Sequence, residues 1–170
     1  MQEKEGIVNR VARSNLVTLN LEDFYRVGDR VLIDLKDQLF QGLVLREKDF
    51  RAFVSGHDWV QYEGKFVAVH CSADAIIPVW AYMLVGLSLR PFAEEIHFGD
   101  LSALEEHLFF EALGKENWLK YKDARVVVKG CGVLPIPSGA FMEVSVRLQP
   151  HVQSLLYGEP CSTVPLYKRK

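Results

Sequence analysis

The chain has 170 residues, a formal net charge of −2 and three cysteines, with 49% hydrophobic and 25% charged residues. These fractions are close to the average for globular domains and exclude an intrinsically disordered chain. The near-neutral charge excludes the basic footprint of a nucleic-acid-binding protein, so we predict no nucleic-acid partner. Three cysteines also exclude a disulfide scaffold, since an odd number cannot pair completely within one chain.

We find no stretch with the apolar length of a membrane span or the pattern of a secretory leader. The longest apolar run, residues 75–89, is interrupted by Pro78 and Gly86. We therefore expect a cytoplasmic protein with reduced thiols and no membrane partner.

The first sixty residues predict a β-rich segment. Apolar and polar side chains alternate along residues 16–21 and 31–36, as in strands with one buried face. Residues 39–45 fit either a third strand or a short helix. Residues 47–54 follow a helical period, and Gly56 is expected to end that helix.

From Gly64 onward the sequence alternates between the periods of strands and helices. The predicted strands are residues 66–69, 95–98, 126–128 and 155–157, and the predicted helices are residues 75–89, 101–113 and 140–148. The first of these helices is apolar on nearly every side, which predicts an interior position. Asp100 or Ser102 can cap the second. The fold class is therefore α/β, in a single domain spanning residues 1–170.

Residues 65–100 and 125–159 match each other along their length. At an offset of 59 the identical pairs are Pro78/Pro137, Ala81/Ala140, Met83/Met142, Val85/Val144, Leu89/Leu148, Pro91/Pro150 and Gly99/Gly158. Before the loop an offset of 60 pairs Val67 with Val127 and Cys71 with Cys131. We predict a duplicated strand–helix–strand unit whose two copies form halves of one sheet about a pseudo-twofold axis.

Ligands of α/β units gather where strands end and helices begin, and both matched cysteines are predicted to lie there. Three thiolates and one further side chain would suit zinc or an iron–sulfur cluster. The candidate metal ligands are Cys71, Cys131, Cys161 and Asp74, with His70 or His97 as alternatives to Asp74. No C-x-x-C pair is present, and cysteines buried as small hydrophobes remain an alternative. Asp74 can instead cap a helix that begins near Ala75.

A thiol enzyme using Cys71 is the second hypothesis, because a strand end before a helix can activate a thiol. His70 would be a poor base, since its side chain on a strand points to the opposite face. Residues 69–73 are similar to the phosphate loop of cysteine phosphatases, but Ile77 stands where that loop requires an arginine. We therefore exclude phosphatase chemistry. A non-catalytic oligomeric binding module is the third hypothesis, with aromatic side chains on the face of a homo-oligomer.

Six segments carry a resemblance to a known family: IVNRVARSNLVTLNLEDFY, LVLREKDFRAFVSGHDW, CSADAIIPVWAYM, IHFGD, VVVKGC and YGEPCSTVPLYKRK. They extend over nearly the whole chain, which resembles a bacterial family catalogued as domain of unknown function 2480. The resemblance implies a soluble bacterial cytoplasmic protein with no catalytic residues to carry over. It also implies a link to iron–sulfur assembly proteins. The leading hypothesis is thus a metal- or iron–sulfur-associated accessory protein.

Overall fold

The secondary structure was obtained from a computed structural model, which describes residues 16–130, 132–159 and 162–170. Within these residues the strands are β1 (Leu16–Asn20), β2 (Arg30–Asp34), β3 (Phe66–His70), β4 (Glu95–Phe98), β5 (Arg125–Lys129), β6 (Ser154–Glu159) and β7 (Ser162–Lys168). The α-helices are α1 (Glu47–Gly56), α2 (Val79–Leu89), α3 (Leu101–Gly114) and α4 (Ser138–Leu148). The α/β fold class predicted from the sequence is confirmed.

The chain divides into two compact units, and the boundary between them falls within α3. The central unit is Arg26–Leu108, and the terminal unit is built from the two ends of the chain, up to Tyr25 and from Phe109 onward. Each unit contains its own sheet, so the prediction that the two halves share one sheet is wrong. The single domain over residues 1–170 stays a prediction.

The central unit contains a parallel sheet in the order β2-β3-β4. The continuous apolar run of β3 buries both faces, as is typical of a central parallel strand. Val67 and Val69 pack with Phe50 of α1 and with the buried face of α2. The alternate β3 residues, Phe66 and Ala68, pack against Leu104 and Leu108 of α3.

The terminal unit contains a sheet in the order β1-β5-β6-β7, in which β7 pairs antiparallel with β6. Val126 and Val128 of β5 pack with three buried residues of α4: Ala140, Val144 and Leu148. Phe109 and Leu113, from the second half of α3, complete this core. The predicted strand before the C-terminal tail is therefore β6, and the tail itself adds the unpredicted strand β7.

The two units repeat the same spacing between elements. The strand β3, the helix α2 and the strand β4 begin 59 residues before β5, α4 and β6, respectively. Their register agrees with this offset, because Arg30 pairs with Phe66 in one sheet and Leu16 pairs with Arg125 in the other. The strand bounds thus match Val67 with Val126, and not with Val127 as the offset of 60 predicts. The internal duplication itself remains a prediction.

The start of α2 differs from the sequence prediction. The helix begins at Val79, because Pro78 precedes it in an extended conformation and disfavours helical geometry at Ile77. Asp74 therefore does not cap α2, and the capping alternative for this residue is wrong. The interior position predicted for the helix is also wrong, since the side chains of Val79, Met83 and Leu87 are exposed.

The N-terminal third contains two strands and one helix among its described residues. Residues 39–45 form neither a full strand nor a helix but a tight turn, in which Phe40 and Val44 make an isolated antiparallel bridge. The helix α1 ends at Gly56, as predicted. None of the helices in the described part of the chain has the length and apolar character needed to cross a membrane.

Candidate functional site

The carboxyl ends of the central strands bring polar side chains to one edge of the sheet. The parallel strands β2, β3 and β4 end at Asp34, His70 and Phe98, and Cys71 and Ser72 follow β3 directly. This edge is where ligands of open parallel sheets commonly bind. We call the cluster formed by Asp34, Cys71, Ser72 and Tyr82 the strand-end site.

Asp34 fixes the loop that follows Cys71. One carboxylate oxygen accepts a hydrogen bond from the Ser72 backbone N–H at 3.0 Å, and the other accepts from the Ser72 hydroxyl at 2.6 Å. The Lys36 backbone N–H also donates to Asp34 at 3.1 Å, and the Lys36 ammonium lies 3.4 Å from the carboxylate. The side chain of Asp34 is only 15% exposed, so these donors replace most of its contact with water.

The hydrogen bonds keep Asp34 ionised. Burial alone would raise its pKa, but the two hydrogen bonds from Ser72 and those from Lys36 outweigh burial. The pKa of Asp34 therefore lies well below its ordinary value of 3.8. A carboxylate with several donors is the arrangement expected to produce this shift. The strand-end site thus holds a permanent negative charge at neutral pH.

Cys71 is half-buried beside this charge. Its side chain packs against the core of the central unit, and its thiol makes a weak hydrogen bond to the Ala73 carbonyl with an Sγ–O distance of 3.8 Å. Burial raises the pKa of the Tyr82 hydroxyl, and the neighbouring charges of Cys71 and Asp34 raise it further. The Tyr82 ring meets Phe98 edge-on, with ring centroids 5.0 Å apart. The thiol and the phenol are therefore held by packing at the same sheet edge.

The structure places two of the four predicted metal ligands. Cys71 lies in the strand-end site, and Asp74 is exposed in the loop between β3 and α2. Cys131 and Cys161 lie outside the described residues. Among the residues that the structure does describe, no group of three or more His, Cys, Asp or Glu side chains could hold a metal ion. The three-cysteine site stays a prediction.

The two histidines considered as alternative ligands occupy different surroundings. His70 is the last residue of β3, and the ring of His97 on β4 stacks on His107 with a centroid distance of 4.5 Å. Burial lowers the pKa of His97, the charge of His107 lowers it further, and Glu95 partly opposes them. Glu95 accepts from both His107 and Arg26. His97 thus belongs to a network that also contains a carboxylate and a guanidinium.

Sequence reasoning missed Asp34, Ser72 and Tyr82 as parts of the site. The signal for Asp34 is its place at the polar end of an alternating strand, since adjacent parallel strands end at one edge. The pairing of Asp34 with Ser72 spans 38 residues and depends on the register between β2 and β3. Nothing in the local sequence indicates that register.

The corresponding edge of the terminal unit has a different chemistry. Asn20 ends β1 where Asp34 ends β2, and each caps a short 3-10 turn. Counting 59 residues onward, Gly130 corresponds to Cys71 and Phe141 to Tyr82. Phe141 meets Tyr157 edge-on at 5.7 Å, as Tyr82 meets Phe98. A Cβ at Gly130 would lie 2.8 Å from Ile136 and 2.9 Å from Phe141, so that side chains there must shift to admit a larger residue.

Comparison with known proteins decides the family. A family model described as "Protein of unknown function (DUF2480)" matches residues 5–169. The chain belongs to this family. The resemblance noted from the sequence segments is thereby confirmed, and it extends over nearly the full length. No curated protein and no solved structure matches the chain.

Proposed function

We propose that this member of the DUF2480 family is a metal- or iron–sulfur-associated accessory protein that acts through Cys71. The observation that carries the proposal is a half-buried thiol at the carboxyl edge of a parallel sheet, in a loop fixed by Asp34 and Ser72. Thiolate is the ligand preferred by zinc, copper(I) and iron–sulfur clusters. Asp74, exposed in the same loop, could supply an oxygen ligand.

The fixed loop supports binding because it positions the thiol before a ligand arrives. Ser72 follows Cys71 and is held to Asp34 through both its backbone and its hydroxyl. A site that is ordered in advance loses less conformational entropy when a ligand binds. The negative charge of Asp34 also favours a cationic ligand over an anionic substrate.

We also infer that the two units are copies of one ancestral unit. Beyond the shared offset, Asp58 and Asn117 cap equivalent turns, with oxygen-to-nitrogen distances of 3.2 Å in both units. The bond from Gly64 N–H to the Phe92 carbonyl has its counterpart 59 residues later, between Asp123 and His151. The acid, the thiol and the phenol are thus specific to the central unit. This contrast supports a function at the strand-end site beyond what the fold requires.

The same offset alters the relation between the cysteines. It aligns Cys131 with Ser72, whereas the offset of 60 aligned it with Cys71. The cysteines are then not equivalent residues of two repeats, so symmetry no longer favours a shared site. We therefore centre the proposal on Cys71.

Metal content tests the proposal. Protein purified without oxygen is analysed for zinc, iron and acid-labile sulfide, and the same is done for Cys71→Ser, Cys131→Ser and Cys161→Ser. We expect a near-stoichiometric metal that is lost in Cys71→Ser. Loss in all three variants would support the three-cysteine site, and retention in Cys131→Ser and Cys161→Ser would support the Cys71-centred site. Wild-type protein without metal, before and after reconstitution with zinc or iron and sulfide, would overturn the proposal.

A thiol enzyme is the second candidate, and the partial exposure of Cys71 favours it. Here Cys71 would act as a nucleophile, and it would react with an alkylating probe near neutral pH faster than the other two cysteines. The nearby Asp34 charge opposes formation of a thiolate, since like charges disfavour the ionised form. Equal and slow labelling of all three cysteines in metal-free protein would contradict this candidate.

A further inference from the structure

The terminal unit contains a cavity of about 600 Å³ that is separate from the strand-end site. It lies where β5 and β6 begin, at the opposite ends of these strands from the loop that matches the Cys71 loop. Its size is within the range of small-molecule sites. The lining residues are Arg125, Gln153, Ser154, Leu156, Pro165 and Lys168.

Two cations and a hydroxyl form one row across the sheet. Arg125 of β5 pairs with Ser154 of β6, and Ser154 pairs with Lys168 of β7. Residues directly opposite each other on neighbouring strands project to the same face. The backbones of Arg125 and Lys168 are therefore about 10 Å apart, with Ser154 between them.

A β-bulge brings the rest of the lining to this face. Ser154 and Leu156 are two residues apart on β6, whereas their partners Lys168 and Pro165 are three residues apart on β7. In a regular strand, residues three apart point to opposite faces. The register shift between Leu155 and Leu156 lets both Lys168 and Pro165 line the cavity. Bulges commonly occur beside functional sites, where they redirect a side chain.

The charges of this row are not neutralised within the described part of the chain. Arg169 pairs with Asp123 at 2.6 Å, and Lys129 pairs with Glu159 at 3.9 Å. By contrast, neither Arg125 nor Lys168 forms an ion pair with a described carboxylate. Two cations facing one cavity repel each other unless an anion lies between them.

The hydroxyl in this row also lacks a partner. The Ser154 Oγ is buried, and no described residue hydrogen-bonds to it. A buried hydroxyl without a partner costs free energy that a bound acceptor would recover. The neighbouring Leu156 and Pro165 add an apolar wall.

We propose that this cavity binds a small organic anion, with its carboxylate or phosphate between Arg125 and Lys168 and its apolar part against Leu156 and Pro165. The guanidinium and the ammonium supply charge-assisted hydrogen bonds, and Ser154 supplies a neutral donor. Gln153 at the rim offers a further amide donor. The site is independent of Cys71 and of any metal.

The test is an NMR titration of the isotope-labelled full chain at low salt with phenyl phosphate, phenylacetate and inorganic phosphate, and with benzyl alcohol as the neutral comparator. We expect saturable shifts of the Ser154 and Leu156 amides with at least one organic anion. The double variant Arg125→Gln/Lys168→Gln should bind that anion about tenfold more weakly or worse. The matched control Lys122→Gln/Lys170→Gln removes the same charge outside the lining and should bind within about twofold of wild type.

Binding of phenyl phosphate alone identifies phosphate esters as the ligand class, and binding of phenylacetate alone identifies carboxylates. The proposal is overturned if neither anion gives saturable shifts, if benzyl alcohol binds equally well, or if the control loses as much affinity as the cavity variant. Circular dichroism and thermal unfolding of both variants show whether the fold is intact. Ser154→Ala, which keeps both cations, serves as a second variant and should weaken binding about threefold or more.

Discussion

At the scale of single residues, Asp34 links the fold of the central unit to its strand-end site. One carboxylate ends a strand, caps a 3-10 turn and anchors the loop after Cys71. Asn20, its counterpart in the terminal unit, caps a turn through the Glu22 backbone at 3.4 Å. The loop of the terminal unit is instead held by Glu22, which accepts from the Leu134 N–H at 3.3 Å. The two units thus anchor equivalent loops with carboxylates from different positions.

Replacement of Asp34 tests this link through the pH dependence of stability. At neutral pH, Asp34→Asn should lower the free energy of unfolding by about 2 kcal/mol, because it removes charge-assisted hydrogen bonds. The pKa of Asp34 is lowered in the folded state, so its stabilisation is present above the ordinary value of 3.8 and declines as the pH falls below it. The difference between wild type and Asp34→Asn in urea unfolding should therefore shrink in acid. The control is Asp37→Asn, an exposed carboxylate in the same turn, and a difference that is constant with pH would contradict the prediction.

At the scale of elements, the sequence predicts the buried strands and the helical faces well. The strand β4 is predicted at its observed bounds, and the helices α1, α3 and α4 are predicted to within two residues at each end. Buried apolar side chains recur at the period of the element they belong to, so this part is encoded locally. The strand β7 is missed because Pro165 normally weakens a strand assignment, and an edge strand beside a bulge tolerates it.

The site is predicted less completely, because its geometry depends on contacts between elements. The position of Cys71 after a buried strand is readable from periodicity. The contact of Asp34 with Ser72 needs the pairing of β2 with β3, and the place of Tyr82 needs the true start of α2. The helical stretch predicted from residue 75 fails at Pro78, where sterics override the apolar run. Register and helix entry are tertiary properties that a single sequence specifies weakly.

The cap of α3 gives an element-scale prediction. Sequence reasoning left Asp100 and Ser102 as alternatives, and the structure shows the Asp100 carboxylate accepting from the Ala103 N–H at 2.9 Å. Asp100→Ala should lower the free energy of unfolding by about 1 kcal/mol, the usual cost of losing an N-cap. Ser102→Ala should change it by less than about 0.5 kcal/mol. Urea unfolding of both variants measures the difference, and equal effects would contradict the assignment of the cap.

At the scale of the whole molecule, the two units have the same burial pattern but differ in surface chemistry. Along α2 and α4 the exposed positions recur every four residues in matching places. On α2 these are Val79, Met83 and Leu87, with 74%, 62% and 71% of their surface exposed. On α4 the same positions carry Ser138, Met142 and Val146, and the helix also contains the Glu143–Arg147 ion pair. The helix α2 has no charged residue at all.

This difference locates a test of the homo-oligomer that the sequence predicts. A second copy could cover α2 without desolvating a charge, whereas a lysine at its centre would have to be buried at considerable cost. We expect the wild type to sediment as a concentration-dependent oligomer, and Met83→Lys/Leu87→Lys to sediment as a monomer. The matched control is Met142→Lys/Val146→Lys on α4, which should associate as the wild type does. A wild type that stays monomeric at all concentrations, or an α2 variant that still associates, would show that α2 is not an interface between copies of this chain.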